Sequence, residues 1–232
     1  MTKYLCFFIC VCLCLLGCQD EVSPGPIEEL FFEAADSSFL YSDYDFLSES
    51  DFQTVFFDEF SDNENNWSQV DDGDYVVEIA NGSLRMESET ESLYYIWQDF
   101  VGLRSSDFQI EMNFQFPNNS SRQFFAFNWG GFGGWDNILG FRIYADGHYA
   151  LKQKINDEWV DNIIDKSPTE FIQNNTFNSI CIRIIGDRHY FFINEEFVFS
   201  AKNLLLRGDE FGPSIGSNSR CEFDNLKVAF IN

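Results

Sequence analysis

The sequence predicts an all-β fold, an antiparallel β-sandwich, and three observations carry that prediction. Between Asp107 and Phe116, the residues Phe108, Ile110, Met112, Phe114 and Phe116 alternate with Gln109, Glu111, Asn113 and Gln115. A period of two means a strand with one buried and one wet face. Shorter apolar runs recur along the chain, divided by turn pairs at Asn81-Gly82, Asp146-Gly147 and Gly186-Asp187. No stretch holds a helical period long enough to alternate with these runs, which argues against a parallel βαβ architecture.

Taken in order, the runs predict strands at 54–60, 75–80, 93–100, 107–116, 123–129, 138–144, 148–155, 180–185, 190–193, 197–200 and 226–231. The Asp146-Gly147 turn fixes one register. A two-residue loop would place Leu151 opposite Arg142 and mix the faces. A three-residue loop, Ala145-Asp146-Gly147 with the glycine left-handed, pairs Ile143 with Tyr149 and Phe141 with Leu151. Leu139, Phe141, Ile143, Tyr149 and Leu151 then point inward, and Arg142, Tyr144, His148 and Lys152 share the outer face.

The chain has 232 residues with 38 Asp+Glu against 14 Lys+Arg, a formal charge of -24. That charge repels phosphate backbones, and no basic stripe interrupts it, so nucleic acid is not expected as a partner. The 28 Phe, 9 Tyr and 5 Trp exceed what a disordered acidic polymer carries, so most of the chain should fold. The acidic excess is uneven: 18 acidic and no basic residues lie between Tyr4 and Leu84.

Residues 1–17 have the layout of an export signal: Met-Thr-Lys, then thirteen apolar residues from Tyr4 to Leu16, then Gly17. Thirteen residues at ~1.5 Å each are too short to span a membrane. Leu15-Leu16-Gly17-Cys18 resembles the lipobox of bacterial lipoproteins, which implies lipidation of Cys18 and a lipid anchor. Gln19-Asp20-Glu21 is similar to the export tag of surface lipoproteins in the Bacteroidetes group, which implies an outer-membrane location open to the cell surface. Residues 18–52 read as an acidic tether, yet residues 19–52 hold eleven large apolar side chains, more than a spacer needs. They could dock on a partner or on the domain itself.

The stretch 53–232 resembles concanavalin A-like lectin/glucanase domains. The resemblance rests on Phe57-Asp58-Glu59-Phe60 with Trp67, Ile79 to Leu84, Asp107 to Glu111, Trp129-Gly130, Asp146 to Tyr149, Phe192-Ile193-Asn194 and Phe223 to Val228. It implies a two-sheet jelly roll, often with a sugar-binding face. Glu195 departs from the glycine such domains often place after the Asn, which puts the tight turn there in question.

Two catalytic spellings fail on context. Laminarinase-like relatives of this superfamily carry a mid-chain Glu-x-Asp-x-Glu strand; here the nearest spacing, Glu87, Glu89 and Glu91, lies early and lacks the Asp. Gly212-Pro213-Ser214-Ile215-Gly216 spells a nucleophile elbow, but both histidines, His148 and His189, precede it and the next segment reads as a strand. A non-catalytic, carbohydrate-binding reading follows, with an envelope protein-interaction module as the alternative and a glycoside hydrolase as a third. The expected ligand-binding residues are Trp135 as the stacking platform, Asp136, Asn137, Arg142 and Tyr144 for hydrogen bonds, and Trp129, which suits either the platform or the core. No cofactor is expected, although related sandwiches often hold a structural calcium, for which Asp58 and Asp224 are weak candidates. Cys181 and Cys221 are expected to be free, because alternation points Cys181 away from the Ile180, Ile182, Ile184 face.

Overall fold

The computed structural model describes residues 47–117, 122–133, 136–160 and 163–232, together with the backbone of 32–34. Among the described residues eighteen strands follow one another: β1 (Phe32–Ala34), β2 (Phe52–Asp58), β3 (Val70–Asp71), β4 (Tyr75–Ala80), β5 (Ser83–Ser88), β6 (Tyr94–Tyr95), β7 (Gln98–Asp99), β8 (Phe108–Gln115) and β9 (Phe124–Phe132). Then come β10 (Asn137–Tyr144), β11 (His148–Ile155), β12 (Glu158–Trp159), β13 (Ile164–Pro168), β14 (Asn178–Ile185), β15 (Arg188–Ile193), β16 (Glu196–Lys202), β17 (Glu210–Ile215) and β18 (Ser219–Ile231). Among the described residues there is no α-helix, only 3-10 turns at Glu49–Asp51 and Leu103–Ser105.

The strands form two antiparallel sheets. Sheet A runs β1-β16-β15-β14-β8-β18-β5-β4-β3, with β2 also on β18; sheet B runs β12-β11-β10-β9-β17-β6, with β13 on β11 and β7 on β17. The long β18 serves as a hinge of sheet A: its first half pairs with β5 and its second with β2. A bulge between Asp224 and Lys227, with Asn225 left-handed at φ 50°, shifts the alternation so that both Phe223 and Leu226 reach the core.

The core is aromatic. Phe108, Ile110, Met112 and Phe114 of β8 are all 0% exposed, as the alternation requires. They face Phe125, Phe127 and Trp129 of β9 and Phe141 of β10, and Phe191 and Phe199 stack at 4.2 Å. Burying each such ring contributes about 1.5–3 kcal/mol, which is the structural use of the phenylalanine excess.

The hairpin register is the three-residue one: Phe141 pairs with Leu151, Ile143 with Tyr149, and Gly147 has φ 79°. The Asn194-Glu195 turn is tight despite its missing glycine, with both residues left-handed at φ 52° and 68°. Asn194 holds it there, accepting from the Ser179 N–H at 2.8 Å and donating to the Phe171 carbonyl at 2.6 Å. Six strands of the described residues lie outside the expected runs: β1, β3, β5, β12, β13 and β17. Charged outward positions hide β5, and Gly212-Pro213 inside β17 reads as a strand breaker. Gly130 and Gly131 belong to β9, where Gly130 is left-handed at φ 69° and Leu206 packs against its backbone.

The sandwich also reaches into the segment assigned to the tether. β1 pairs with β16 through Phe32↔Ala201 and Ala34↔Phe199, while Ser48 and Asp51 close a capping box ahead of β2. Cys181 and Cys221 are free thiols on opposite sides of sheet A, Cys221 in the core and Cys181 on the outer side.

Candidate functional site

Cα partners across a sheet point their side chains to the same side. Because Phe125, Phe127, Leu139, Phe141 and Leu151 face the core, the alternate residues of sheet B form its outer face. One row across that face reads Tyr95, Ser214, Ala126, Arg142, Ala150. The next reads Gly212, Asn128, Gly140, Lys152. On one side of these lies the row Phe124, Tyr144, His148, and on the other the row Ile138, Lys154, Trp159.

The middle of the face is a strip of small side chains, a trough in side-chain length between larger ones. Ala126, Asn128, Ala150 and Ser214 are between 1% and 4% exposed although they face outward, so longer side chains overhang them. Asn128 donates to Ser214 Oγ at 3.0 Å and to the Gly212 carbonyl at 3.1 Å. A Cβ at Gly140 would stand 3.0 Å from Asn128 Oδ1, so the glycine leaves the amide its place.

Aromatic rings flank the trough. Trp97 stacks on Tyr95 at 5.0 Å and 25°, and is 46% exposed. Opposite, the Arg142 guanidinium lies 5.1 Å from the Phe124 ring and 4.9 Å from the Trp159 ring, with Trp159 40% exposed. Burial pushes the Arg142 guanidinium below its ordinary range, and the Tyr144 hydroxyl, bonded to it, works the other way. Lys166 Nζ sits 4.4 Å from the Tyr144 ring centre and pairs with Asp146 at 2.5 Å. Burial raises the Tyr95 hydroxyl above its ordinary range, and the carboxylates of Glu210 and Asp136 add to the shift. Ring faces for C–H contact beside the tyrosine hydroxyls and the Arg142 guanidinium suit a polar ring ligand.

The expected site residues divide. Arg142 and Tyr144 stand together on this face, and Asp136 lies just ahead of β10, its carbonyl accepting from the Asp157 N–H at 2.9 Å. Asn137 Oδ1 instead accepts from the Asn156 N–H at 3.1 Å and ties two turns together. Trp129 is a correction: it is 0% exposed and packs at 5.8 Å from Phe191, because its position on β9 has core parity. Trp135 lies outside the described residues. Sequence reasoning missed Tyr95, Trp97 and Trp159. The Tyr94-Tyr95-Ile96-Trp97 run was a usable signal, whereas Trp159 sits on a two-residue strand with no period to read.

The calcium reading does not fit its residues. Both carboxylate oxygens of Asp58 accept N–H donors, from Phe60, Asn65 and Trp67 at 2.7–2.8 Å, and donors aimed at an oxygen oppose a cation there. Asp224 bonds the Asn225 backbone and side-chain amides, and no cluster of three or more His, Cys, Asp or Glu converges among the described residues. The nucleophile-elbow spelling is likewise structural. Ser214 lies within a strand, His189 is buried in the other sheet, and His148 bonds Asp146 at 2.9 Å.

The architecture is a two-sheet antiparallel jelly roll, of the concanavalin A-like kind. The chain matches no protein-family model and no curated protein sequence. Among solved structures it is similar to a Bacillus subtilis protein of galectin-like fold, at TM-score 0.58 and 9% identity over 78% of this chain and 100% of that one. It is also similar to the Bacillus licheniformis β-glucanase, at 0.56 and 11% over 76% and 97%, and to the laminarinase catalytic domain of Thermotoga maritima, at 0.56 and 13% over 77% and 98%. At these identities the likeness is one of fold.

Proposed function

We propose that this chain is a lipid-anchored protein of the bacterial outer membrane, facing the cell surface, that holds a glycan on the outer face of sheet B without cleaving it. The observation that carries the reading is the trough of small residues between Tyr95-Trp97 and Arg142-Trp159, with exposed indoles on both sides. Protein binding sites for sugars need such faces, since a pyranose offers flat C–H surfaces ringed by hydroxyls. Cleavage by the usual glycosidase route needs two carboxyl groups, roughly 5–5.5 Å apart in retaining enzymes. Strands β9, β10, β11 and β17 project one carboxylate on this face, Glu210, and β7 sets Asp99 opposite it, a pair at the sheet edge two strands away from Arg142.

A glycan array with the full chain, followed by calorimetry on the best ligand, tests the reading. Trp97→Ala and Trp159→Ala are each expected to weaken binding by about 1–3 kcal/mol while the melting temperature stays within a degree or two of wild type. Unchanged affinity in both variants would move the site off this face. Glu210 and its Cα partner Asp99 are the carboxylates a hydrolase would have to use. Release of reducing sugar by the wild type, lost in Glu210→Gln, would replace the binding reading.

Anchoring rests on Cys18, which with residues 1–17 lies outside the described residues. Cys18→Ser is expected to release the protein from membranes after a carbonate wash. A variant still sedimenting with membranes would remove the anchor.

A further inference from the structure

We infer that the glycan taken by this face is an acidic one, carrying carboxylate or sulfate groups. The inference rests on the glycan-binding reading and adds its chemical class. In a chain with 14 Lys+Arg, four of them (Arg142, Lys152, Lys154 and Lys166) gather on β10, β11 and β13 around one side of the trough. Two are neutralised in place, Lys154 by Asp157 and Lys166 by Asp146. Arg142 and Lys152 make no ion pair with a carboxylate among the described residues. They stand on adjacent strands one outward position apart, Arg142 opposite Ala150 and Lys152 opposite Gly140.

Two like charges so close, both half-buried, cost free energy that an anion between them would offset. Burial and the neighbouring Arg142 both push the Lys152 ammonium below its ordinary range, and Asp165 opposes them only in part. The carboxylates that weigh against this field are Asp165 near Lys152 and, on the Tyr95 side, Glu210 and Asp136. Charges beyond about 8 Å are largely screened at physiological salt. The Arg142 guanidinium, 5.1 Å from the Phe124 ring centre and 4.9 Å from that of Trp159, is a planar fork whose donors match a carboxylate or a sulfate ester. The stacked Tyr95 and Trp97 across the trough then supply what a bare polyanion lacks a use for, a surface for the sugar ring.

The experiment is calorimetric titration of the full chain, held in detergent, with a neutral polysaccharide, its uronate-containing counterpart, its sulfated counterpart and poly-glutamate. One or both acidic glycans are expected to bind at least tenfold tighter than the neutral one, the size of one charge-assisted hydrogen bond, and the tighter of the two names the source of the charge. Raising the salt should narrow that gap, and Lys152→Gln should reduce it about tenfold while Lys152→Arg keeps it. Equal binding of neutral and acidic glycans, or an unchanged gap in Lys152→Gln, overturns the inference and leaves glycan binding standing. Poly-glutamate bound as tightly as the acidic glycan overturns it as well, since charge alone would then suffice. Binding of no glycan would remove the parent reading with it.

Discussion

Asp58→Ala is expected to destabilise the fold by about 3–5 kcal/mol, a large fraction of the roughly 5–15 kcal/mol that a domain commonly has. Asp58 ends β2 and is 6% exposed. Its Oδ1 accepts from the Phe60 N–H at 2.7 Å, and its Oδ2 from Asn65 Nδ2 at 2.8 Å and the Trp67 indole N–H at 2.7 Å. These bonds fold the 59–67 turn back so that Phe60 and Trp67, at 0% and 2% exposed, enter the core, with Phe60 left-handed at φ 52°. Alanine would strand three N–H donors and release the constraint on a strained backbone. The desolvation cost of the charge disappears too, but it is smaller than the loss of three donors already aimed at it. Asp58→Asn, which keeps one acceptor oxygen, should fall between. Urea unfolding checks the order, and a loss below about 1 kcal/mol for Asp58→Ala would show that the turn is held by its rings alone.

Stability should fall by about 2 kcal/mol between pH 7 and pH 5 on account of His189. This histidine sits on the core side of β15, 2% exposed, with its ring 6.2 Å from Trp129. Burial pushes its imidazole down to about 3 from an ordinary 6.5, against a smaller upward pull from the Leu204 backbone. It is therefore neutral in the fold throughout the physiological range, while the unfolded chain takes up a proton as pH drops through 6.5. Stability is complete above that value and declines by about 1.4 kcal/mol per pH unit towards pH 3. The carboxylates of so acidic a chain also titrate near the lower end, so the measurement is a comparison. His189→Gln should be less stable at pH 7 yet lose about 2 kcal/mol less than wild type on going to pH 5. Parallel pH profiles in the two proteins would show that the imidazole is hydrated and titrates freely in the fold.

Fold class was legible because the core face repeats. In β8 every second residue from Phe108 to Phe114 is apolar, and that period survives any detail of packing. The hairpin at 145–147 was legible for the same reason, since one register alone keeps Phe141, Ile143 and Leu151 on one side. β17 was not, because Glu-Phe-Gly-Pro-Ser-Ile carries a glycine and a proline that local rules assign to a turn. Its neighbours β9, β6 and β7 hold it extended all the same.

The candidate site divided along the same line. Arg142, Tyr144 and Lys152 could be placed on an outer face from alternation. Trp129 could not be placed, because a glycine-flanked indole at a strand end fits either side until parity along β9 is known.

The sequence by itself determined the class of fold, the sidedness of its regular strands and the acidity of the surface, since each is a property of local order and composition. Only the tertiary structure decided which residues share the trough. Tyr95, Ser214, Ala126 and Arg142 come from four segments scattered between residues 95 and 214, and hydrogen bonding between strands puts them in one row. A site made across strands has no sequence period, because the spacing that matters is about 4.8 Å from strand to strand rather than any distance along the chain.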